Sequence, residues 1–293
     1  MEAPFGRVLT AMVTPFLADG GIDLPRAAEL AVRLVDLGND GLVISGTTGE
    51  SPTTSDAEKD ALLRTVVEAV GARVTVVAGV GTNDTAHSVE NARAAEKAGA
   101  AGLLVVSPYY NKPPQAGLLA HFRTVADAAD LPVMLYDIPA RTGVAIATDT
   151  LLRLAEHPRI VANKDAKGDL FATQQVLAAS DLAIYCGDDA VNLPLLAIGA
   201  VGVVSVTGHL VADRLASLIS SLQSGDLPAA RAINNACVPV TTAIMTRTQG
   251  AIMIKAALRL LGFDVGPVRL PLVDATPAQL EELRTDLVAG GVL

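Results

Sequence analysis

A lysine-bearing segment near the middle of the chain could carry covalent chemistry. Residues 160–162 are apolar and partly β-branched, which is typical of a buried strand, and the predicted strand 160–164 ends on Lys164, next to Asp165. Side chains alternate along a strand, so Ala162 and Lys164 share one face. An amine on a face of small residues, at the carboxyl end of a strand, can form a Schiff base with a carbonyl substrate. The alternative is a surface lysine that pairs with Asp165.

Imine chemistry on a 2-oxo acid requires further groups. A lysine with a pKa near 10.4 must lose its proton before it attacks a carbonyl carbon, and burial favours that loss. The hydroxyl groups of Thr47 and Thr48, with nearby backbone N–H groups, could hold the substrate carboxylate. A tyrosine could move protons at the carbon that was the ketone.

Similar polar and aromatic residues follow the other apolar segments of the chain. Three of the four tyrosines lie at such positions in a sequence with only 3% aromatic residues, which is more than a packing pattern predicts. The segments after the strands are 14–15, 46–51, 81–83, 108–111, 136–143, 164–165, 187–189 and 205–208. They contain no cluster with metal-ligand spacing, so we expect chemistry without a metal or a cofactor.

Eight short apolar segments would position these residues. They begin about 20 to 33 residues apart, which leaves room for a helix and two loops each time. Eight such units favour a (β/α)₈ TIM barrel, in which chemistry lies at the carboxyl ends of the strands, over an open doubly wound sheet. The predicted strands are 8–13, 41–45, 74–79, 102–107, 132–136, 160–164, 182–186 and 202–206.

Helix-end signals support this order of elements. Ser55 and Glu58 form a capping box before a helix over 57–70, and Gly38 and Gly99 end helices over 24–37 and 86–98. After residue 224 the strands cease, and helices are predicted over 227–246, over 250–261 and after Thr276. We therefore expect a catalytic barrel over residues 1–224 and a small C-terminal helical domain over residues 225–293.

Composition narrows the class of protein. The 293 residues carry a net charge of -9 without a basic cluster, so nucleic acid and anionic membranes are not expected partners. The two cysteines provide neither a disulfide framework nor a metal site. Residues 191–212 lack charged side chains, but Pro194, His209 and three glycines favour a buried helix and strand over a membrane span. With no signal peptide pattern at the start, a cytoplasmic protein is expected.

Five motifs, in order along the chain, resemble one known family. They are Gly46-Thr47-Thr48-Gly49-Glu50-Ser51, Pro108-Tyr109-Tyr110-Asn111-Lys112-Pro113, Tyr136-Asp137-Ile138-Pro139-Ala140-Arg141-Thr142-Gly143, Lys164-Asp165-Ala166-Lys167-Gly168 and Gly187-Asp188-Asp189. This series is similar to the dihydrodipicolinate synthase / N-acetylneuraminate lyase family, and the similarity extends from about Gly6 to the end of the chain.

The resemblance implies a role for each matching residue. Lys164 would form an imine with pyruvate, and Tyr136 would move protons together with Thr47. Tyr110 would reach in from a neighbouring subunit of a homotetramer. Substrate binding would fall to Thr48 for the pyruvate carboxylate, to Arg141 for the carboxylate of aspartate semialdehyde, and to the backbones of Gly187 and Val204. The implied reaction belongs to diaminopimelate and lysine biosynthesis.

Three departures from the family pattern concern residues near these motifs. Asn163 precedes the lysine but points to the opposite face, so we expect it to affect packing. Cys186 replaces a common serine, and a buried free cysteine usually behaves as a small hydrophobic residue. Lys59 and His87 stand where lysine-inhibited relatives use a His and a Glu, so inhibition by lysine should be weak or absent.

Two other functions remain open at this point. A sister enzyme, such as N-acetylneuraminate lyase or an aldolase for 2-keto-3-deoxy sugar acids, would share the lysine and the tyrosine. Arg141 and Ser51 favour the synthase over these. A catalytically silent binding barrel would not need the complete set of lysine, tyrosine and threonines. Reduction with borohydride in the presence of pyruvate would distinguish an imine-forming enzyme from a silent barrel.

Overall fold

Eight parallel strands form a closed barrel in the computed structural model, which describes residues 2–293. Each strand pairs with the next in sequence, and the eighth pairs with the first. The predicted TIM barrel is therefore confirmed. The strands are β1 Val8–Ala11, β2 Gly41–Ile44, β3 Thr75–Gly79, β4 Gly102–Val106, β5 Val133–Asp137, β6 Ile160–Asp165, β7 Ala183–Cys186 and β8 Gly202–Ser205.

The strands separate two apolar cores. The outer core lies between the sheet and the surrounding helices, and the inner core fills the barrel. Side chains of Leu9, Val43, Met134, Tyr185 and Val204 belong to the inner core. Because large side chains fill its interior, the barrel is a packed scaffold and not a channel.

The amino-terminal end of the barrel is closed by Phe5 and Tyr185. Both side chains are fully buried, and their rings lie 6.3 Å apart. The Tyr185 hydroxyl accepts a hydrogen bond from the Phe5 backbone N–H at 3.1 Å and donates one to the Gly6 carbonyl at 2.9 Å. Gly102 is required beside this ring, because a Cβ there would collide with Phe5.

Helices α1 to α9 connect and cover the strands. Their ends follow the predicted signals: Ser55 and Glu58 make both hydrogen bonds of a capping box at the start of α2. The predicted helix ends differ from the observed ones by one residue. The helices are α1 Leu24–Asp36, α2 Asp56–Val70, α3 Thr85–Lys97, α4 Gln115–Ala126, α5 Pro139–Thr142, α6 Thr148–Ala155, α7 Leu170–Ala179, α8 Asn192–Ala197 and α9 Gly208–Gln223.

Three further helices follow the barrel: α10 Leu227–Met245, α11 Gly250–Leu260 and α12 Pro277–Ala289. Thr276 and Gln279 form a second capping box at the start of α12. The uncharged stretch 191–212 contains α8 and β8, as expected for buried barrel segments. None of the helices within residues 2–293 is long and apolar enough to cross a membrane.

Candidate active site

A cavity of about 230 Å³ lies where several strands have their carboxyl ends. Its walls combine hydroxyl groups, a guanidinium and apolar side chains. The lining residues are Ser45, Gly46, Thr47, Ser51, Pro52, Gly79, Gly81, Leu104, Val106, Tyr109, Tyr136, Ile138, Arg141 and Thr142. Three of the predicted site residues, Thr47, Tyr136 and Arg141, are thus brought to one cavity.

Lys164 is buried beside the cavity, on the inner face of β6. Its side chain shares the interior of the barrel with Ala162, and its Nζ lies 4.1 Å from the centroid of the Tyr136 ring. Asp165 points to the opposite face, where it accepts hydrogen bonds from Thr173 Oγ1 at 2.5 Å and from the backbone N–H of Lys167 at 2.9 Å. The alternative of a surface lysine paired with Asp165 is therefore wrong.

Burial lowers the pKa of Lys164 to about 8. Three nearby groups modify this effect: Asp189 and Cys186 raise the pKa, and the guanidinium of Arg141 lowers it. The Tyr136 hydroxyl has the opposite response, because burial raises its pKa to about 12. A neutral phenol next to an amine that readily loses its proton suits proton transfer at an imine.

The loop after β2 contains Thr47 and Thr48, and two residues with left-handed backbones flank them. Ser45 has a φ of 58° and Glu50 a φ of 56°, which is an uncommon conformation for residues other than glycine. At Gly49 a Cβ would lie 3.1 Å from the carbonyl oxygen of Met12, so a side chain here would crowd the backbone at the end of β1. Thr48 is buried but does not line the cavity.

Gly187 lies close to the lysine. A Cβ on Gly187 would meet Lys164 Cγ at 2.8 Å, so the absence of a side chain there makes room for the lysine stem. Val204 is buried in the inner core on β8. The Cys186 thiol is also buried, which raises its pKa, as expected for a small packing residue and not for a reactive thiolate.

Arg141 is positioned by α5, a single helical turn at the end of β5. Gly143 ends this turn in the left-handed region with a φ of 76°, and the Thr142 hydroxyl donates to the carbonyl of Ile138 at 3.1 Å. The turn holds the guanidinium on the wall of the cavity, where its planar fork suits a carboxylate ligand.

Tyr110 lies outside the cavity of its own chain. Its side chain is 88% exposed, and its backbone has a φ of 73°. The preceding residue, Tyr109, lines the cavity instead. A large aromatic side chain held away from its own protein by an uncommon backbone conformation is available to a neighbouring molecule.

Asp189 is not among the predicted site residues, although it belongs to the motif Gly187-Asp188-Asp189. The carboxylate is buried, accepts from the Ser205 hydroxyl at 2.5 Å, and accepts from the backbone N–H groups of Val206 and Thr207 at 2.8 and 2.9 Å. It therefore fixes the chain at the end of β8, and its negative charge raises the pKa of Lys164. Its position three residues after β7, at the carboxyl end of the barrel, is the signal in the sequence that could have found it.

Comparisons with known proteins agree with this geometry. Residues 4–289 match the model of the dihydrodipicolinate synthetase family. The chain is 65% identical to the 4-hydroxy-tetrahydrodipicolinate synthase of Acidothermus cellulolyticus, with 99% of this chain and 94% of the relative covered. It is 63% identical to 4-hydroxy-tetrahydrodipicolinate synthase 2 of Streptomyces coelicolor, with 99% and 97% covered.

Solved structures are similar over the same length. The dihydrodipicolinate synthase of Cyanidioschyzon merolae with lysine bound has a TM-score of 0.97 and 43% identity, with 100% of both chains covered. The chloride-inhibited enzyme from Acinetobacter baumannii, complexed with pyruvate, has a TM-score of 0.94 and 34% identity, with 99% of this chain and 100% of that chain covered.

Proposed function

The chain belongs to the dihydrodipicolinate synthetase family, and from this premise we infer that it condenses pyruvate with aspartate semialdehyde to 4-hydroxy-tetrahydrodipicolinate. This lyase reaction serves diaminopimelate and lysine biosynthesis. The observation that carries the mechanism is the buried Lys164, whose amine lies against the Tyr136 ring and has a lowered pKa.

The proposed reaction begins at the amine of Lys164. The neutral amine attacks the ketone carbon of pyruvate, and loss of water gives an imine. Removal of a proton from the methyl carbon converts the imine to an enamine, whose carbon attacks the aldehyde carbon of the second substrate and restores the imine. The amino group of the second substrate then attacks the imine carbon, which closes the ring, breaks the bond to Lys164 and frees its amine. Tyr136 carries protons to and from these atoms, with the Thr47 hydroxyl assisting from the wall of the same cavity.

The remaining residues hold the two carboxylates. We assign the pyruvate carboxylate to Thr48 and nearby backbone N–H groups of the same loop, with Gly187 and Val204 contributing their backbones. Arg141 binds the carboxylate of aspartate semialdehyde, because its guanidinium lies on the cavity wall and can donate two parallel hydrogen bonds.

We further propose a homotetramer in which Tyr110 completes the site of a neighbouring subunit. The exposure of this side chain and its left-handed backbone support the assignment. A cytoplasmic location accords with a biosynthetic enzyme that acts on free metabolites.

The sister activities are less well supported. The relatives at 65% and 63% identity are both named as the synthase. In addition, the guanidinium of Arg141 suits a substrate with a carboxylate, whereas a polyhydroxylated substrate needs groups that bind hydroxyls. Testing several aldehydes after pyruvate in one coupled assay would compare these activities directly. A preference for a sugar-derived aldehyde would contradict the assignment.

Borohydride reduction tests the central step. Protein incubated with pyruvate and reduced should gain one pyruvate-derived mass on the peptide that contains Lys164. Lys164→Arg should gain none, and Lys167→Arg should be labelled as the unmodified sequence is. Labelling at Lys167, or no labelling, would refute the mechanism.

A further inference from the structure

A buried ion pair joins the C-terminal helices to the loop that carries Thr47 and Thr48. Lys255, on α11, is 1% exposed, and its Nζ lies 2.7 Å from Glu50 Oε1. The angle between the Lys255 ammonium and Glu50 Oε1 is not that of a hydrogen bond, so the contact is an ion pair only. The same ammonium donates a hydrogen bond to the Pro267 carbonyl at 2.7 Å. It also lies 4.2 Å from the centroid of the Phe16 ring. One cation thus ties three parts of the chain together.

The second carboxylate oxygen of Glu50 is held from the same side. Its Oε2 accepts a hydrogen bond from the backbone N–H of Arg269 at 2.8 Å. The Arg269 guanidinium donates to the carbonyl of Thr53 at 2.7 Å, at the far end of the loop. Residues 255 and 269 therefore hold the loop from beyond the barrel.

The backbone of Glu50 passes this restraint to the threonines. Its N–H donates to the Thr47 carbonyl at 3.1 Å, and its own carbonyl accepts from the backbone N–H of Thr53 at 3.0 Å. Thr47 lines the cavity, three residues from the anchored carboxylate. A shift of Glu50 would consequently move the hydroxyl groups of the loop.

Stability alone is a poor explanation for this arrangement. A buried ion pair is often no more stabilising than apolar residues of the same volume, because both ions lose their hydration. Glu50 also has a left-handed backbone, which is unfavourable for residues with a Cβ. Unfavourable conformations of this kind persist where the surrounding structure enforces them, commonly beside functional sites.

We propose that Glu50 and Lys255 are positioning residues, through which helix α11 sets the loop that presents Thr47 and Thr48 to pyruvate. This inference rests on the proposed function for its substrate. Neither side chain lines the cavity, so both act through the loop backbone.

The test uses the full chain and four variants. Glu50→Gln and Lys255→Met keep the approximate shapes of the side chains, and their combination removes both charges together. Ala257→Gly is the matched control, because it weakens the same helix while retaining both charges. For each, we would measure thermal unfolding, the pyruvate dependence of borohydride trapping, and hydrogen exchange of a peptide covering residues 42–54.

Lys255→Met should increase the pyruvate concentration for half-maximal trapping about tenfold or more, since small misplacements of binding groups have effects of this size. It should also accelerate exchange in residues 42–54. The double variant should be less impaired than Lys255→Met, because it leaves no unpaired buried carboxylate. Ala257→Gly should change the melting temperature but neither the trapping curve nor the exchange.

Unchanged trapping and exchange in folded Glu50→Gln and Lys255→Met would overturn the proposal. The proposal is also overturned if Ala257→Gly, with a loss of melting temperature equal to that of Lys255→Met, shows the same change in pyruvate trapping and the same faster hydrogen exchange. Should Lys255→Met fail to fold, Glu50→Gln and the double variant decide the question. If the unmodified protein is not trapped by pyruvate, the proposed function fails, and hydrogen exchange still decides whether the pair holds the loop.

Discussion

At the scale of single residues, the site depends on opposite effects of burial on an amine and a phenol. The same low-dielectric interior lowers the pKa of Lys164 and raises that of Tyr136, because in each case the charged form is disfavoured. The lysine face and the phenol could be predicted from residue type and alternation. The opposing effects of Asp189 and Arg141 on the lysine pKa could not, because these residues lie after other strands, β7 and β5.

The first prediction concerns the pH dependence of imine formation. The protonated amine is unreactive, so the rate of trapping with pyruvate should rise as pH increases toward about 8 and level off above it. An ordinary lysine would continue to gain reactivity up to about 10.4. Arg141→Ala removes a cation and should move the midpoint upward, whereas Asp189→Asn removes an anion and should move it downward. The measurement is the rate of trapping at a series of pH values. Identical pH midpoints for the unmodified protein and the two variants would contradict the prediction.

The second prediction separates the two substrates. Arg141→Ala should raise the KM for aspartate semialdehyde about 10- to 100-fold, since hydrogen bonds to charged groups contribute roughly 1.5–3 kcal/mol. Trapping with pyruvate alone, near pH 8 or above, should continue. Arg141→Lys retains the charge without the planar fork and should recover only part of the loss. Steady-state kinetics would show this, and an equal loss for both substrates would argue against the assignment.

The third prediction concerns Asn163, which is fully buried on the outer face of β6. Neither its amide nitrogen nor its carbonyl oxygen has a hydrogen-bond partner within the described residues. Replacing such a group with an apolar one of similar shape can be neutral or stabilising. Asn163→Leu should raise the free energy of unfolding by about 1 kcal/mol and leave trapping at Lys164 unchanged. Denaturant unfolding tests this, and a loss of stability would show that the amide has an unrecognised role.

At the scale of elements, the sequence signals for the ends of single helices and strands were reliable, whereas the contacts between distant segments had no such signals. Capping residues and apolar runs located the helices and strands to within about two residues, because such signals act locally. The irregular pairing of β6 with β5, where Val133 faces Ile160 but Met134 faces Ala162, has no signature in the sequence. Nor does the contact between Lys255 and Glu50, although Lys255 is the one charged residue in the otherwise apolar stretch 251–258 of α11.

The fourth prediction is that free lysine inhibits the enzyme weakly or not at all. It depends on Lys59 of α2 and His87 of α3, which stand where lysine-inhibited relatives use a His and a Glu. The Asp56 carboxylate is already paired with both of these side chains: it lies 2.9 Å from His87 Nε2 and 3.6 Å from Lys59 Nζ, and the hydrogen bond with His87 lowers its pKa. A second cation at about 4 Å from Lys59 would cost on the order of 1 kcal/mol even in water. The adjoining cavity of about 40 Å³ has little room for an amino acid.

Initial rates with rising lysine at fixed pyruvate would test the absence of inhibition. Lys59→Ala should bring a modest increase in sensitivity, because it removes the like charge. Strong inhibition of the unmodified protein at submillimolar lysine would show that another anion serves the inhibitor.

At the scale of the whole molecule, the barrel and its C-terminal helices were predictable, but the surface was not. Tyr110 is 88% exposed, and neither this exposure nor its left-handed backbone has a signature in the sequence. The division between residues 1–224 and 225–293 remains a prediction. Glu50, in the loop after β2, contacts Lys255 and Arg269, so residues from the second segment help to hold a loop of the site in the first.

The fifth prediction follows from the position of Tyr110. Mixed oligomers of Tyr110→Phe and Lys164→Ala subunits should regain activity that neither variant has alone, because a hybrid combines an intact lysine with an intact neighbouring tyrosine. Subunit exchange verified by native mass spectrometry is the necessary control. No recovery in verified hybrids would contradict a shared site.

The closed end of the barrel has a consequence for the order of events. Because Phe5, Tyr185 and the inner core fill the barrel beneath the cavity, molecules have no route through its axis. Pyruvate, the water released on imine formation, the aldehyde and the product must all use the same mouth. An aldehyde that arrives first therefore stands in the path to Lys164, and a large excess of it should slow turnover in a way that more pyruvate relieves.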